Sequence, residues 1–178
     1  TTTVETIIAG LCRRRYSVGS VKDIHFEQFA IDTPGSNTDR HRKAGAQLVT
    51  ARGPGETDVM FPEKLPVQQI LSFYTHDWVI LEGVSDANVP QIICAHTEAE
   101  IDSRLDDSVI GIAGVIANKI SGEYRGLPVF NALSAPEALM DFIEEKIPRL
   151  LPDFSAQCCG LCGMSCRELL GRINRGQA

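Results

Sequence analysis

Short apolar runs that suit buried strands alternate with helical patterns along most of this chain. Residues 78–81 (Trp-Val-Ile-Leu) form a continuous apolar run of the kind found in central parallel strands, and residues 18–24 and 109–112 are further strand candidates. Helical patterns open the chain and recur at residues 67–74, where Pro66 suits the first position of a helix, and at residues 136–150. This alternation predicts a three-layer α/β sandwich with a mostly parallel sheet, in which the three strand segments are parallel neighbours.

Length and composition suit one α/β domain with an appendage. The chain has 178 residues, of which 43% are hydrophobic, and this fraction is sufficient for a proper core. We place the domain at residues 1–151 and a cysteine-rich tail at residues 152–178. The first helix has no strand before it in this sequence, so we expect a further segment to precede it.

The net charge and the lack of long apolar runs argue against nucleic acids and membranes as binding partners. A net charge of −6 argues against general nucleic-acid binding. No apolar run approaches the roughly 20 residues that a membrane span needs, and no signal segment opens the chain. We therefore expect a cytoplasmic protein with no membrane association.

Polar residues at the carboxyl ends of the predicted strands are the candidate binding groups, since parallel sheets bind ligands at that edge. Thr1 and Thr2 lie at the start of the first helix, where free backbone N–H groups attract phosphate. Glu82 ends the apolar strand, a position from which an acid can reach Mg²⁺. A loop between these segments carries His25 and Asp32. Each group also has an ordinary structural interpretation, as a helix cap or as a solvated charge.

Five segments, in this order along the chain, carry a resemblance to a known family. They are Thr1-Thr2 with the helix that follows, Lys22 with His25, residues 31–37 (Ile-Asp-Thr-Pro-Gly-Ser-Asn), residues 42–46 (Arg-Lys-Ala-Gly-Ala) and residues 79–83 (Val-Ile-Leu-Glu-Gly). With these segments the chain resembles MobB, the molybdopterin-guanine dinucleotide biosynthesis protein B family of P-loop GTP-binding proteins. The resemblance covers about residues 1–150.

The resemblance implies a P-loop NTPase-like fold that binds GTP and Mg²⁺ and hydrolyses GTP slowly. It implies that Thr1 and Glu82 bind Mg²⁺, and that Asp32, on a switch-like loop, and Glu82 are the catalytic acids. It implies molybdopterin or the molybdenum cofactor, with its biosynthetic proteins, as partners. The glycines and lysine of the P-loop would precede Thr1, outside this sequence. The other expected binding residues are Thr2, Lys22 and His25 for the nucleotide, and Arg40 and Arg42, with His41, for an anionic pterin phosphate.

Four cysteines, Cys158, Cys159, Cys162 and Cys166, lie within nine residues of the tail. Their spacing on a glycine-rich turn lets thiolates converge on one soft metal centre. We favour an iron–sulfur cluster, with [4Fe–4S] as the preferred form, over structural zinc, because the tail contains no His. A thiol–disulfide pair and an inert group of cysteines are further alternatives. The alternative function is therefore an iron–sulfur or electron-transfer module on an α/β docking scaffold. Cys94 and the tail could also meet across a homodimer.

Overall fold

The computed structural model describes residues 1–147 and the isolated positions 163, 164, 169 and 172. Helices and strands alternate through the described part of the chain. The helices are α1 (Thr2–Arg13), α2 (Asn37–Lys43), α3 (Val67–Leu71), α4 (Glu98–Asp102) and α5 (Pro136–Lys146), with a 3₁₀ turn at Val115–Asn118. The strands are β1 (Val18–Lys22), β2 (Val49–Arg52), β3 (Thr57–Met60), β4 (Trp78–Glu82), β5 (Gln91–Cys94), β6 (Val109–Ala113), β7 (Gly122–Tyr124) and β8 (Leu127–Val129).

The strands form two mainly parallel groups and one separate hairpin. Strands β1 and β4 pair in parallel, and β5, β6 and β8 form a second parallel group whose edge strand β7 is antiparallel. Strands β2 and β3 form an antiparallel hairpin of their own. The expected parallel pairing of residues 18–24 with residues 78–81 is confirmed. The expectation that residues 109–112 flank the same pair is wrong, because β6 has its two sides occupied by β5 and β8.

The main core lies under α1 and α5. Apolar residues of α1 recur on one face of the helix, and Ile7 and Leu11 are buried there against Leu139 of α5. Side chains from both strand groups, among them Trp78 of β4 and Ile92 of β5, pack against the same core. The two helices therefore cover both strand groups as one layer.

A second core covers the opposite face of the β5–β6–β8 group. Ile93 follows Ile92 along β5 and, since successive strand residues point to opposite faces, it packs into this second core with Ile101 of α4 and Ile116 of the 3₁₀ turn. Helical segments thus lie on both faces of the sheet. This arrangement is the three-layer α/β architecture that the sequence predicts.

The α1–α5 contact is reinforced by close packing and by charge. A β-carbon on Gly10 would lie 2.5 Å from the Met140 sulfur, so a side chain at position 10 would require the Met140 side chain to move. At the end of α1, Arg14 donates hydrogen bonds to Glu137 at 2.8 Å and to Asp141 at 2.7 Å, and it also pairs with Glu144. These acids all lie on α5, so Arg14 fixes the end of α1 against that helix.

We predict that Leu139→Ala lowers the free energy of unfolding by about 2–5 kcal/mol, because it opens a cavity in the fully buried centre of the α1–α5 core. Urea unfolding followed by far-ultraviolet circular dichroism measures the change. Leu133→Ala is the matched control, since Leu133 is 75% exposed and its truncation should change the stability by less than about 0.5 kcal/mol. Equal losses in the two variants would contradict the assignment of this core.

Candidate functional site

The carboxyl ends of β1 and β4 meet because the two strands run parallel and in register. Lys22, the last residue of β1, lies opposite Glu82, the last residue of β4. The Lys22 Nζ atom is 2.9 Å from Glu82 Oε1, and the Thr1 hydroxyl donates a 3.0 Å hydrogen bond to the same oxygen. The structure therefore brings three sequence-predicted residues together, and we call Thr1, Lys22 and Glu82 the strand-end cluster.

The Glu82 carboxylate is held in its charged form. Its side chain is 21% exposed, and partial burial alone would favour the neutral acid. The hydrogen bond from the Lys22 ammonium, followed by that from the Thr1 hydroxyl, outweighs this effect and lowers the pKa of Glu82 below its ordinary value. Glu82 is consequently anionic at neutral pH, as a carboxylate that binds a cation has to be.

The loop after β1 folds over the end of β4 beside a glycine. The Asp23 N–H group donates a 2.9 Å hydrogen bond to the Glu82 carbonyl oxygen, which extends the β1–β4 ladder. Gly83 follows with a φ of +76°, and a β-carbon there would lie 3.3 Å from the Asp23 carbonyl oxygen and 3.6 Å from His25 Nε2. Conformation and space both favour glycine at this position. The same geometry places His25 next to the strand-end cluster.

Asp32 makes its contacts within its own loop. Its Oδ1 atom accepts hydrogen bonds from the Ser36 hydroxyl at 2.7 Å and from the Thr38 hydroxyl at 2.9 Å. The Ser36 bond, together with the Thr38 bond, lowers the pKa of Asp32 below its ordinary value. These contacts order the start of α2, and neither of them reaches the strand-end cluster. The catalytic role expected for Asp32 stays a prediction.

Asp39 is the buried charge around which α2 is built. The residue is 1% exposed, and its carboxylate accepts hydrogen bonds from Lys43 at 2.6 Å, Arg42 at 2.7 Å and the Gly35 N–H group at 2.8 Å. Its own N–H group donates a 3.0 Å hydrogen bond to the Ser36 hydroxyl, which caps the helix. The Lys43 bond and the other donors hold the pKa of Asp39 well below its ordinary range.

The structure separates the two arginines that were predicted to contact a pterin phosphate. Arg42 is bound to Asp39, whereas Arg40 lies on the exposed side of the same helix. Arg40 lines a surface hollow of about 320 Å³ together with Asn37, His41 and Ala44. Arg40 and His41 are therefore available to an anion at this hollow, and Arg42 has a structural contact instead.

Thr2 begins α1 and is exposed. Its carbonyl oxygen accepts a 3.0 Å hydrogen bond from the Thr6 hydroxyl, as expected one helical turn apart. The structure thus places Thr2 at the start of the helix next to Thr1. A phosphate contact by Thr2 stays a prediction.

The sequence predicts two metal centres, a Mg²⁺ site at Thr1 and Glu82 and an iron–sulfur cluster in the tail. In the described part of the chain, no group of three or more His, Cys, Asp or Glu side chains could hold a metal ion. Mg²⁺ bound to a nucleotide does not need such a group, because phosphates and waters supply most of its ligands. The four tail cysteines, Cys158, Cys159, Cys162 and Cys166, lie outside the described residues, so the iron–sulfur cluster and its zinc alternative stay predictions.

The structure also describes two cysteines outside the tail and the lengths of the helices. Cys12 and Cys94 are exposed free thiols. Among the described residues, no helix is both long enough and apolar enough to cross a bilayer.

Sequence reasoning did not identify the roles of Asp39 and Gly83. The spacing Ser36-x-x-Asp39 was the available signal for the first, since a hydroxyl and an acid three residues apart mark the start of a helix. The signal for the second was a glycine directly after a strand, where the chain has to turn sharply. Both residues shape the backbone around the predicted binding groups.

The fold and the strand-end cluster together define a class of protein. A layered α/β fold with a hydroxyl at the start of the first helix, hydrogen-bonded to an acid at the end of a parallel strand, is the arrangement of P-loop NTPase-like proteins. The family model of MobB, described as molybdopterin guanine dinucleotide synthesis protein B, matches residues 1–116. The chain belongs to the MobB family.

Relatives and a solved structure agree with this assignment. The chain is 24% identical over 138 residues to a Bacillus subtilis (strain 168) protein provisionally named a molybdopterin-guanine dinucleotide biosynthesis adapter protein, covering 74% of this chain and 78% of the relative. It is 26% identical over 159 residues to a Methanocaldococcus jannaschii protein provisionally given the same name, covering 85% of this chain and 59% of the relative. The crystal structure of Bacillus subtilis MobB matches with a TM-score of 0.64 at 19% identity, covering 84% of this chain and 91% of that chain, which shows a common fold.

Family membership also affects the alternative hypothesis, that the chain is an iron–sulfur or electron-transfer module. The match covers residues 1–116, which make up most of the α/β part that the alternative treats as a docking scaffold. The hypothesis that the chain is an electron-transfer module is therefore not favoured.

We predict that Asp39→Asn destabilises the protein at neutral pH, because Lys43 and Arg42 lose their anionic partner. The pKa of folded Asp39 lies below the ordinary 3.8 of an unfolded aspartate. Its stabilising effect is therefore complete above about pH 5 and is lost as the pH falls through the folded pKa. Urea unfolding at pH 7 and at pH 3 should show a smaller difference from the wild-type protein at pH 3. Asp86→Asn, at an exposed position, is the control, and a pH-independent deficit in Asp39→Asn would contradict this interpretation.

Proposed function

We propose that this chain is a GTP-binding adapter in molybdopterin guanine dinucleotide biosynthesis, with slow GTP hydrolysis. The observation that carries the proposal is the hydrogen bond between the Thr1 hydroxyl and the Glu82 carboxylate at the start of α1. In P-loop NTPases, a hydroxyl and an acid in this arrangement hold Mg²⁺ on the nucleotide phosphates. Family membership and the names of the two adapter relatives support the biosynthetic assignment.

The chemistry of the strand-end cluster fits Mg²⁺. Mg²⁺ prefers hard oxygen ligands, and Thr1 and Glu82 offer a hydroxyl and an ionised carboxylate in contact with each other. When bound, the ion would neutralise charge on the phosphates. The first backbone N–H groups of α1, beginning at Thr2, would donate to phosphate oxygens, where the helix dipole favours an anion. Lys22 and His25 lie at the same edge and would add positive charge and a hydrogen-bonding group.

Slow hydrolysis follows from the groups around Glu82. Among the described residues, those that contact the Glu82 side chain are Thr1 and Lys22, and no arginine is placed there to stabilise charge in the transition state. Asp32 remains our proposed switch-loop acid. Its carboxylate is bound to Ser36 and Thr38, so its catalytic role requires a rearrangement of that loop.

The hollow on α2 is the proposed contact site for the phosphate of an anionic pterin. Arg40 and His41 line it and are free of the buried Asp39, whereas Arg42 contributes indirectly by holding the helix. The pterin and the proteins that make or use it are the proposed partners. A cytoplasmic location and a homodimeric state are also part of the proposal.

We predict that Glu82→Gln in the full-length protein weakens Mg²⁺-dependent GTP binding roughly tenfold or more and slows hydrolysis. The substitution removes a charged contact to the metal, which is worth about 1.5 kcal/mol or more. Titration of a fluorescent GTP analogue, with saturating Mg²⁺ and with a chelator, measures the effect. Glu123→Gln, at an exposed position of β7, is the control. An unchanged Mg²⁺ dependence in Glu82→Gln would remove Glu82 from the site.

We predict that Arg40→Ala and Arg42→Ala have different effects. Arg40→Ala should weaken the binding of a phosphorylated pterin, because it removes a cation from the hollow, and leave stability nearly unchanged. Arg42→Ala should lower stability, because it removes a partner of the buried Asp39, with a smaller effect on binding. Calorimetric titration and thermal unfolding of both variants separate these outcomes. Pterin binding that depends on Arg42 and not on Arg40 would contradict the assignment.

A further inference from the structure

Lys22 contacts the same oxygen of Glu82 that the Thr1 hydroxyl contacts. The Lys22 Nζ atom is 2.9 Å and the Thr1 Oγ1 atom is 3.0 Å from Glu82 Oε1. A divalent cation held between Thr1 and Glu82 would therefore lie within a few ångströms of the ammonium group. Two positive charges at that separation repel each other strongly, and a single carboxylate can neutralise only one of them fully.

We propose that Lys22 is a counter-ion of the metal site that competes with a divalent cation for Glu82. In the absence of metal, Lys22 neutralises the carboxylate. When a divalent cation binds at Glu82 together with a nucleotide, Lys22 leaves the carboxylate and pairs with the terminal phosphate. The phosphate step rests on the proposed function, whereas the competition for Glu82 needs only the strand-end cluster.

The placement of Lys22 allows this exchange of partners. Its backbone is fixed opposite Glu82 by the β1–β4 ladder, but its side chain is 54% exposed, so the amine can move without breaking any packing. The flexible four-carbon stem of lysine permits such a movement. Gly83 presents no side chain on this side, where a β-carbon would lie 3.9 Å from Lys22 Nζ. The exposure of the Lys22 side chain therefore lets the ammonium group change partners.

The competition couples the binding of metal to the binding of nucleotide. A metal ion that binds alone has to displace Lys22 into water, which lowers its affinity. A metal ion that binds with a nucleotide leaves Lys22 a new anionic partner, the terminal phosphate, so the cost of displacement is offset. By linkage, each ligand then raises the affinity for the other by the same factor.

The test is Lys22→Met in the full-length protein, with Mn²⁺ as the probe for the metal site. Binding of Mn²⁺ alone, measured from the electron paramagnetic resonance signal of the free ion, should become roughly two- to fivefold tighter, because a partly exposed ion pair no longer competes. Binding of a fluorescent GTP analogue in saturating Mn²⁺ should become weaker by a similar factor. If Lys22 had only a structural role, its substitution would not change the affinities for Mn²⁺ and for the GTP analogue in opposite directions.

Three further variants complete the experiment. Lys22→Arg keeps the charge and should retain wild-type Mn²⁺ affinity, and Lys119→Met, at an exposed lysine elsewhere on the surface, should change neither affinity. The double variant Lys22→Met with Glu82→Gln should lose the gain in Mn²⁺ affinity, because the gain requires the carboxylate.

Two outcomes separate this inference from the proposed function. Unchanged or weaker Mn²⁺ binding by Lys22→Met overturns the counter-ion role, even where the wild-type protein binds the GTP analogue. A wild-type protein that binds no nucleotide overturns the proposed function, while tighter Mn²⁺ binding by Lys22→Met would still support the competition for Glu82.

Discussion

The buried contact between α1 and α5 is the interaction on which the remaining structure depends. In the described part of the chain, the β1–β4 pair is not hydrogen-bonded to the β5–β6–β8–β7 group. Both pack against the core that Leu11 and Leu139 occupy, so the helices hold the two strand groups together. The same helix α1 begins beside Thr1 and ends at the charged contacts of Arg14. Packing at one end of α1 therefore determines where the Thr1 hydroxyl meets Glu82 at the other end.

Much of the site could be predicted from the order of residues along the chain. Parallel strands bring their last residues to the same edge of a sheet, so an acid that ends an apolar run and a lysine that ends an earlier strand are expected to be close. Lys22 and Glu82 lie directly opposite each other in the β1–β4 pair, in agreement with this reasoning. Thr1 follows from the same reasoning, because a helix that packs on these strands starts at that edge.

Other features depend on information that a linear pattern does not contain. The apolar run in β6 shows that the strand is buried but not which strands flank it, and its neighbours are β5 and β8. The cations of α2 look alike in sequence, yet Arg42 turns toward Asp39 and Arg40 turns away from it. Which cation is available to a ligand is decided by the single buried carboxylate, whose burial depends on how the loop before α2 folds.

Gly83 illustrates how a residue without functional groups can be as restricted as one that has them. Its left-handed backbone conformation lets the chain leave β4 close to the Asp23 carbonyl oxygen and His25. Glu82 supplies the functional group at this edge of the sheet, whereas Gly83 determines the path of the backbone there. During evolution, selection at these two adjacent positions would act through different properties, reactivity at one and backbone geometry at the other. Drift at position 83 would consequently be limited even in a descendant that had lost every use for the carboxylate.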